Sequence, residues 1–142
     1  MIGHMNILYT ATAASTGDAR NGHVQSTDGN IDLPVRIPKE MGGEGGATNP
    51  EQLFAAGYAA CFHSALKLVA ARAKADATDS EVVADVSIGD NGQGGFGLAV
   101  QLEVTLANLE RAQAEELVRQ AHEVCPYSNA TRGNIDVTLT VV

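Results

Sequence analysis

The run AAGYAACFHSALKLVAA, from Ala55 to Ala71, constrains what this chain can fold into more than any other stretch. It is apolar nearly throughout, with His63, Ser64 and Lys67 as the polar exceptions. Ahead of it, Asn49 suits an N-cap, Pro50 the first helical position, and Glu51 and Gln52 the first turn. Asn49 with Gln52 approximates a capping box. Together these predict one helix from Pro50 to about Ala75, roughly 39 Å long at ~1.5 Å per residue. A helix apolar on nearly every face must be buried on most of them. A chain of 142 residues has little material left to surround it, so a second copy of the chain is the expected cover.

The remainder reads as strands and one amphipathic helix. Met5–Ala14, Asn21–Thr27 and Asn30–Ile37 are candidate strands, with Asp28-Gly29 as a hairpin signal between the second and third. Pro34 predicts an edge position or a bulge. The glycine-rich loop MGGEGGATNPEQ leads into the long helix. Strands over Glu81–Gly89 and Phe96–Leu106 follow, joined by DNGQGG. Asn108 is expected to cap a second helix over Leu109–Val124, which Pro126 ends. A last strand, Asn134–Val142, alternates Ile135, Val137, Leu139 and Val141 inward. The expected order is βββ-α-ββ-α-β, an α+β fold, as a single domain over residues 1–142. Met5 resembles a second start, so residues 1–4 read as a vector-derived leader.

Charge narrows the function. The net charge is −8, without a basic cluster. Such a surface repels phosphate backbones and anionic lipid heads, which argues against nucleic acid and membrane partners. Lys67 interrupts the best apolar run, so no membrane span is expected. There is no secretory pattern at the start. The expected compartment is the cytoplasm, where two cysteines favour catalysis or redox chemistry over a permanent disulfide.

Several motifs are weak. Gly92, Gly94 and Gly97 match G-x-G-x-x-G, but a strand follows them where a dinucleotide site needs a helix. Asn129-Ala130-Thr131 matches a glycosylation acceptor that means little in a cytoplasmic chain. Cys61 and His63 point to opposite sides of a helix. His122 and Cys125 could face the same way, yet no close C-x-x-C pair supplies further metal ligands. No metal is expected, and both histidines read as ordinary helix residues.

That leaves the two thiols, Cys61 and Cys125. A free cysteine is by default a small core residue. Cys61 lies mid-helix, where burial raises a thiol pKa, and its neighbours Gly57, Tyr58, Ser64 and Ala65 include no cation. If it works as a thiolate, an Arg or Lys must reach it from elsewhere. Cys125 is expected at a helix C-terminus, where the dipole disfavours an anion. This ordering suggests Cys61 as the attacking thiol and Cys125 as the resolving one.

The stretches NPEQLFAAGYAACF and VCPYSNATRGNIDV, with LYTATA, MGGEGGATNPEQ and GGFGLAVQL, resemble the organic hydroperoxide resistance proteins of the osmotically inducible protein C superfamily. The resemblance runs from about Met5 to the C-terminus. It implies an intertwined homodimer, with long central helices wrapped by antiparallel sheets. It also implies a thiol peroxidase that reduces organic hydroperoxides, fatty-acid hydroperoxides included, to alcohols. By this resemblance the peroxidatic cysteine is Cys61, the resolving cysteine Cys125 and the catalytic arginine Arg20. Glu51 is the carboxylate that holds the arginine. No bound cofactor is implied; the reductant is a dihydrolipoyl group on a lipoylated protein. A guanidinium beside Cys61 would favour the thiolate, and Glu51 could hold it bidentately. Phe54, Phe96 and Tyr127 are candidates for an apolar substrate pocket.

Glu51 and Cys61 lie roughly 15 Å apart along one helix, too far to share an arginine easily within one chain. Two such helices crossing antiparallel near Ala56 would set residue 51 of one against residue 61 of the other. The small residues Ala55, Ala56, Gly57, Ala59 and Ala60 permit a close crossing. A site built across a dimer is therefore expected. The competing readings are a non-catalytic lipid-binding protein of the same fold and a thiol hydrolase. The hydrolase would need a histidine beside Cys61, and His63 points the wrong way.

Overall fold

The computed structural model describes residues 5–142; the expected leader, residues 1–4, lies outside them. The chain divides into two compact units, the first ending at Pro50 and the second spanning Glu51–Val142.

In the first unit β1 (Ala13–Thr16), β2 (His23–Ser26) and β3 (Asp32–Pro34) form an antiparallel sheet in that order. β1 is shorter and later than its alternation predicts. Met5–Thr12 forms no strand, and Ile7, Leu8 and Tyr9 in it are exposed. A 3-10 turn, Ala19–Asn21, carries Arg20 between β1 and β2. The Asp28-Gly29 signal does mark a turn. Asp28 accepts from the Ser26 hydroxyl and the Asn30 N–H, and Gly29 adopts φ 78°. Pro34 ends β3, where its missing N–H costs no ladder bond. In the glycine loop, Gly43 has no substitute, because a Cβ there would lie 2.1 Å from the Ile37 carbonyl oxygen.

The second unit is built on α1 (Pro50–Arg72), which starts at the expected residue. It ends before Ala75 because Lys74 turns left-handed at φ 56°, and the Ala75 N–H closes back on the Ala70 carbonyl. By length and composition alone α1 is long and apolar enough to cross a bilayer, and Lys67 does not shorten the run below that length. Its environment here is a protein core: Tyr58, Phe62, Ala65, Leu66, Val69 and Ala70 are buried. The polar exceptions are tied down at its rim. His63 Nε2 meets Ser80 Oγ at 2.9 Å, and Lys67 Nζ donates to the Ala77 carbonyl at 2.9 Å.

β4 (Glu81–Asp90) and β5 (Phe96–Thr105) form a long antiparallel hairpin, and β6 (Val137–Val141) pairs with β5 in parallel. The sheet is thus mixed, where antiparallel pairing alone was expected. The connection from β5 to β6 is a helical crossover, which a parallel neighbour needs. Val100, Leu102 and Val104 of β5 point into the core beside Phe62 and Leu66. Burying each such side chain contributes about 1.5–3 kcal/mol.

α2 (Arg111–Val124) buries Ala114, Leu117, Val118 and Ala121 on one face. It starts two residues later than predicted, with Glu110 as N-cap. Asn108 is diverted from capping because its side chain donates to Asp76 Oδ2 and the Thr78 carbonyl. The larger correction lies at Pro126. It ends α2 but also opens a further helix, α3 (Pro126–Thr131), with Cys125 as the shared cap. Proline suits the first position of a helix as well as it stops one.

Candidate functional site

Cys61 projects from the middle of α1 and Cys125 sits at the α2–α3 junction. Sixty-four positions apart in sequence, their sulfurs are 3.4 Å apart, and both are free thiols. Cys125 is fully buried, whereas Cys61 is half-buried at the edge of the core. The first turn of α3 faces both sulfurs. The backbone N–H of Tyr127 bonds Cys61, and that of Ser128 points at Cys125 Sγ from 3.5 Å. Sequence reasoning placed Cys125 only at the C-terminus of a helix; α3 turns that position into an N-cap.

Burial pushes the Cys61 thiol pKa above its ordinary value, and the adjacent Cys125 adds to the shift, while the Tyr127 N–H opposes it. A reactive thiolate at neutral pH therefore needs a positive charge. Arg20 stands in the 3-10 turn of the first unit and Glu51 in the first turn of α1. Along one α1, Glu51 and Cys61 are ~15 Å apart.

The aromatic candidates divide. Phe54 and Tyr127 meet edge to face with centroids 6.0 Å apart, and Tyr58 packs 5.7 Å from Tyr127. Phe54, Tyr58 and Cys61 lie one or two turns apart on one side of α1. Gly57 lets the Tyr127 ring come close, since a Cβ there would lie 3.0 Å from the phenol oxygen. Phe96 stands instead at the start of β5, paired with Asp90 and 75% exposed; it makes no ring contact with these residues.

Behind the sulfurs lies a polar cluster that sequence reasoning missed. The hydroxyls of Tyr58, Ser128 and Thr131 meet there with His122 Nδ1. The available signal was spacing: Tyr58 precedes Cys61 by three positions and Ser128 follows Cys125 by three. Burial lowers the His122 pKa first, and Arg132 lowers it further against an opposing pull from Glu123. Among the described residues no group of three or more His, Cys, Asp or Glu is placed to hold a metal ion. The G-x-G-x-x-G stretch closes the β4–β5 hairpin, where Asn91 Oδ1 accepts from the Gln93 and Gly95 N–H groups.

Two free thiols thus stand side by side on an α+β fold whose helices pack on a mixed sheet. The family model described as OsmC-like protein matches residues 43–140, and the chain belongs to that family. An organic hydroperoxide resistance protein of Xanthomonas axonopodis pv. citri is 54% identical over 138 residues, 95% of each chain. The crystal structure of an organic hydroperoxide resistance protein from Legionella pneumophila matches with a TM-score of 0.91 at 53% identity, over 96% of this chain and 98% of that one. Another from Elizabethkingia anophelis, with thiocyanate bound, gives a TM-score of 0.92 at 51% identity, over 96% and 98%.

Proposed function

We propose that this protein detoxifies organic hydroperoxides, as the names of its relatives suggest, and that it does so as a thiol peroxidase. The observation that carries the reading is the 3.4 Å separation of two free sulfurs, one half-buried and one buried. The Cys61 thiolate attacks the terminal oxygen of the hydroperoxide. The O–O bond breaks, the alkoxide leaves as alcohol once protonated, and Cys61 becomes a sulfenic acid. The Cys125 thiol displaces that hydroxyl as water and closes a Cys61–Cys125 disulfide. An external dithiol, for which a dihydrolipoyl group on a carrier protein is our candidate, returns both thiols by exchange.

Arg20 is assigned to stabilise the thiolate and Glu51 to hold the guanidinium. The ~15 Å between Glu51 and Cys61 on one helix supports a site completed by the partner's Glu51 in a homodimer. The exposed small residues Ala56 and Ala60 on α1 suit such a crossing. Phe54 and Tyr127 supply an apolar wall for the organic group. We place the protein in the cytoplasm, where thiols are kept reduced.

The test is consumption of cumene hydroperoxide with dihydrolipoamide as reductant. Turnover that stops on Cys61→Ser supports the cycle. A lipid-binding protein of the same fold would consume no peroxide, and that result sinks the reading.

A further inference from the structure

The cluster behind the sulfurs is a directed chain. The Thr131 hydroxyl donates to the Ser128 carbonyl at 3.2 Å, which can only accept. Thr131 Oγ1 therefore accepts from the Tyr58 O–H, 3.1 Å away. That uses the only hydrogen of Tyr58, so its oxygen accepts from the Ser128 O–H at 2.8 Å. Ser128 Oγ must then accept from His122 Nδ1–H, also at 2.8 Å. One arrangement of hydrogens satisfies every member. Among the described residues no buried side-chain nitrogen or oxygen lacks a partner.

This chain joins three helices at the residue next to the chemistry. Tyr58 comes from α1, His122 from the last turn of α2, and Ser128 and Thr131 from α3. Ser128 is the hub, and its own N–H faces Cys125 Sγ. To form a disulfide the sulfurs must close from 3.4 Å to ~2.05 Å. Small rotations of α3 would spoil that approach, because Cys125, its N–H donor Ser128 and the Tyr127 N–H that bonds Cys61 move as one turn.

We propose that His122, Ser128 and Tyr58 are positioning residues for disulfide closure, holding Cys125 in line with Cys61 through this hydrogen-bond chain. The biological role of that closure rests on the cycle proposed above, but the geometry does not depend on the peroxide step.

The test uses the reduced full-length protein and dithionitrobenzoate, which bypasses peroxide. Cys61, the more accessible thiol, takes one thionitrobenzoate as a mixed disulfide and releases a second. Cys125 then attacks Cys61 Sγ and expels the remaining thionitrobenzoate, leaving the internal disulfide. His122→Ala and Ser128→Ala are expected to slow the second release about tenfold, the equivalent of one buried hydrogen bond, with the first within about twofold of wild type. His122→Asn, whose amide nitrogen can stand where Nδ1 does, should recover most of the rate, and His122→Gln should not. Under cumene hydroperoxide the same slow variants should accumulate Cys61 sulfinic acid, because an unresolved sulfenic acid is oxidised again. Equal second-release rates in wild type and both alanine variants, with circular dichroism showing all three folded, would overturn the proposal. Should wild type close its disulfide here yet ignore peroxide, the peroxidase reading fails and the positioning role stands.

Discussion

The sulfur of Cys125 lies 3.4 Å from that of Cys61, with the N–H groups of Ser128 and Tyr127 directed at the two atoms in turn. No covalent bond joins them, yet they need to approach by little more than 1 Å to reach disulfide length. The two thiols differ in access. Cys61 is partly open to solvent and Cys125 is sealed in, so a reagent arriving from outside meets Cys61 first.

Cys125→Ser is therefore expected to permit one round of peroxide reduction and no more. Mass spectrometry after one equivalent of cumene hydroperoxide should find a dimedone adduct on Cys61. Wild type treated the same way should show a Cys61–Cys125 disulfide. Two free thiols in treated wild type would exclude the two-cysteine cycle.

Arg20→Ala should move Cys61 reactivity upward in pH. Burial and Cys125 already raise this thiol, and a guanidinium is the proposed counterweight. The alkylation rate against pH should have its midpoint above that of wild type, with the thermal midpoint little changed. An unchanged profile would assign the cation to another residue.

Gly57→Ala sets two effects against each other. Alanine favours the helix by about 1 kcal/mol. The new Cβ would sit 3.0 Å from the Tyr127 phenol oxygen and 3.3 Å from its Cε2. Tyr127 is 41% exposed, so its ring can tilt outward. The expected outcome is unchanged or slightly raised stability in urea, with altered selectivity between bulky and small hydroperoxides.

Phe62→Ala should cost about 3–5 kcal/mol. Phe62 is fully buried, in one cluster with Leu66, Leu102 and Leu117. Urea denaturation measures the loss directly.

His122 should make stability depend on pH in a stated direction. Its folded pKa lies below the ordinary 6.5, chiefly through burial. Between the two pKa values the unfolded chain binds more protons, so stability rises with pH across that window. The contribution is present above 6.5 and is lost as pH falls through the folded pKa. The chain to Ser128 survives the change, because the imidazolium keeps its Nδ1–H. Urea midpoints between about pH 7 and pH 5 should fall in wild type and fall less in His122→Asn, which has no titrating ring.

Much of the fold was legible along the chain. Asn49-Pro50 marked the start of α1 and Asp28-Gly29 marked the hairpin turn, because capping and turn formation depend on neighbouring residues alone. The strands β4 and β5 lie where they were read, on either side of DNGQGG, and the sequence resemblance pointed to the family that the comparisons then established. Tertiary structure decided what two distant segments do to each other. Pro126 is compatible with stopping a helix and with starting one, and only the packing of α3 made it do both. Asn108 had the chemistry of a cap until Asp76 and Thr78 offered better partners. The parallel pairing of β6 with β5 and the outward position of Phe96 carry no local signal. Above all, the hydroxyls of Tyr58 and Ser128 are 70 positions apart in the chain and 2.8 Å apart in space. Sequence supplied two thiols and an order for their use; the fold put Cys125 within reach of Cys61, because helices far apart in the chain share one core and close their buried polar groups on each other.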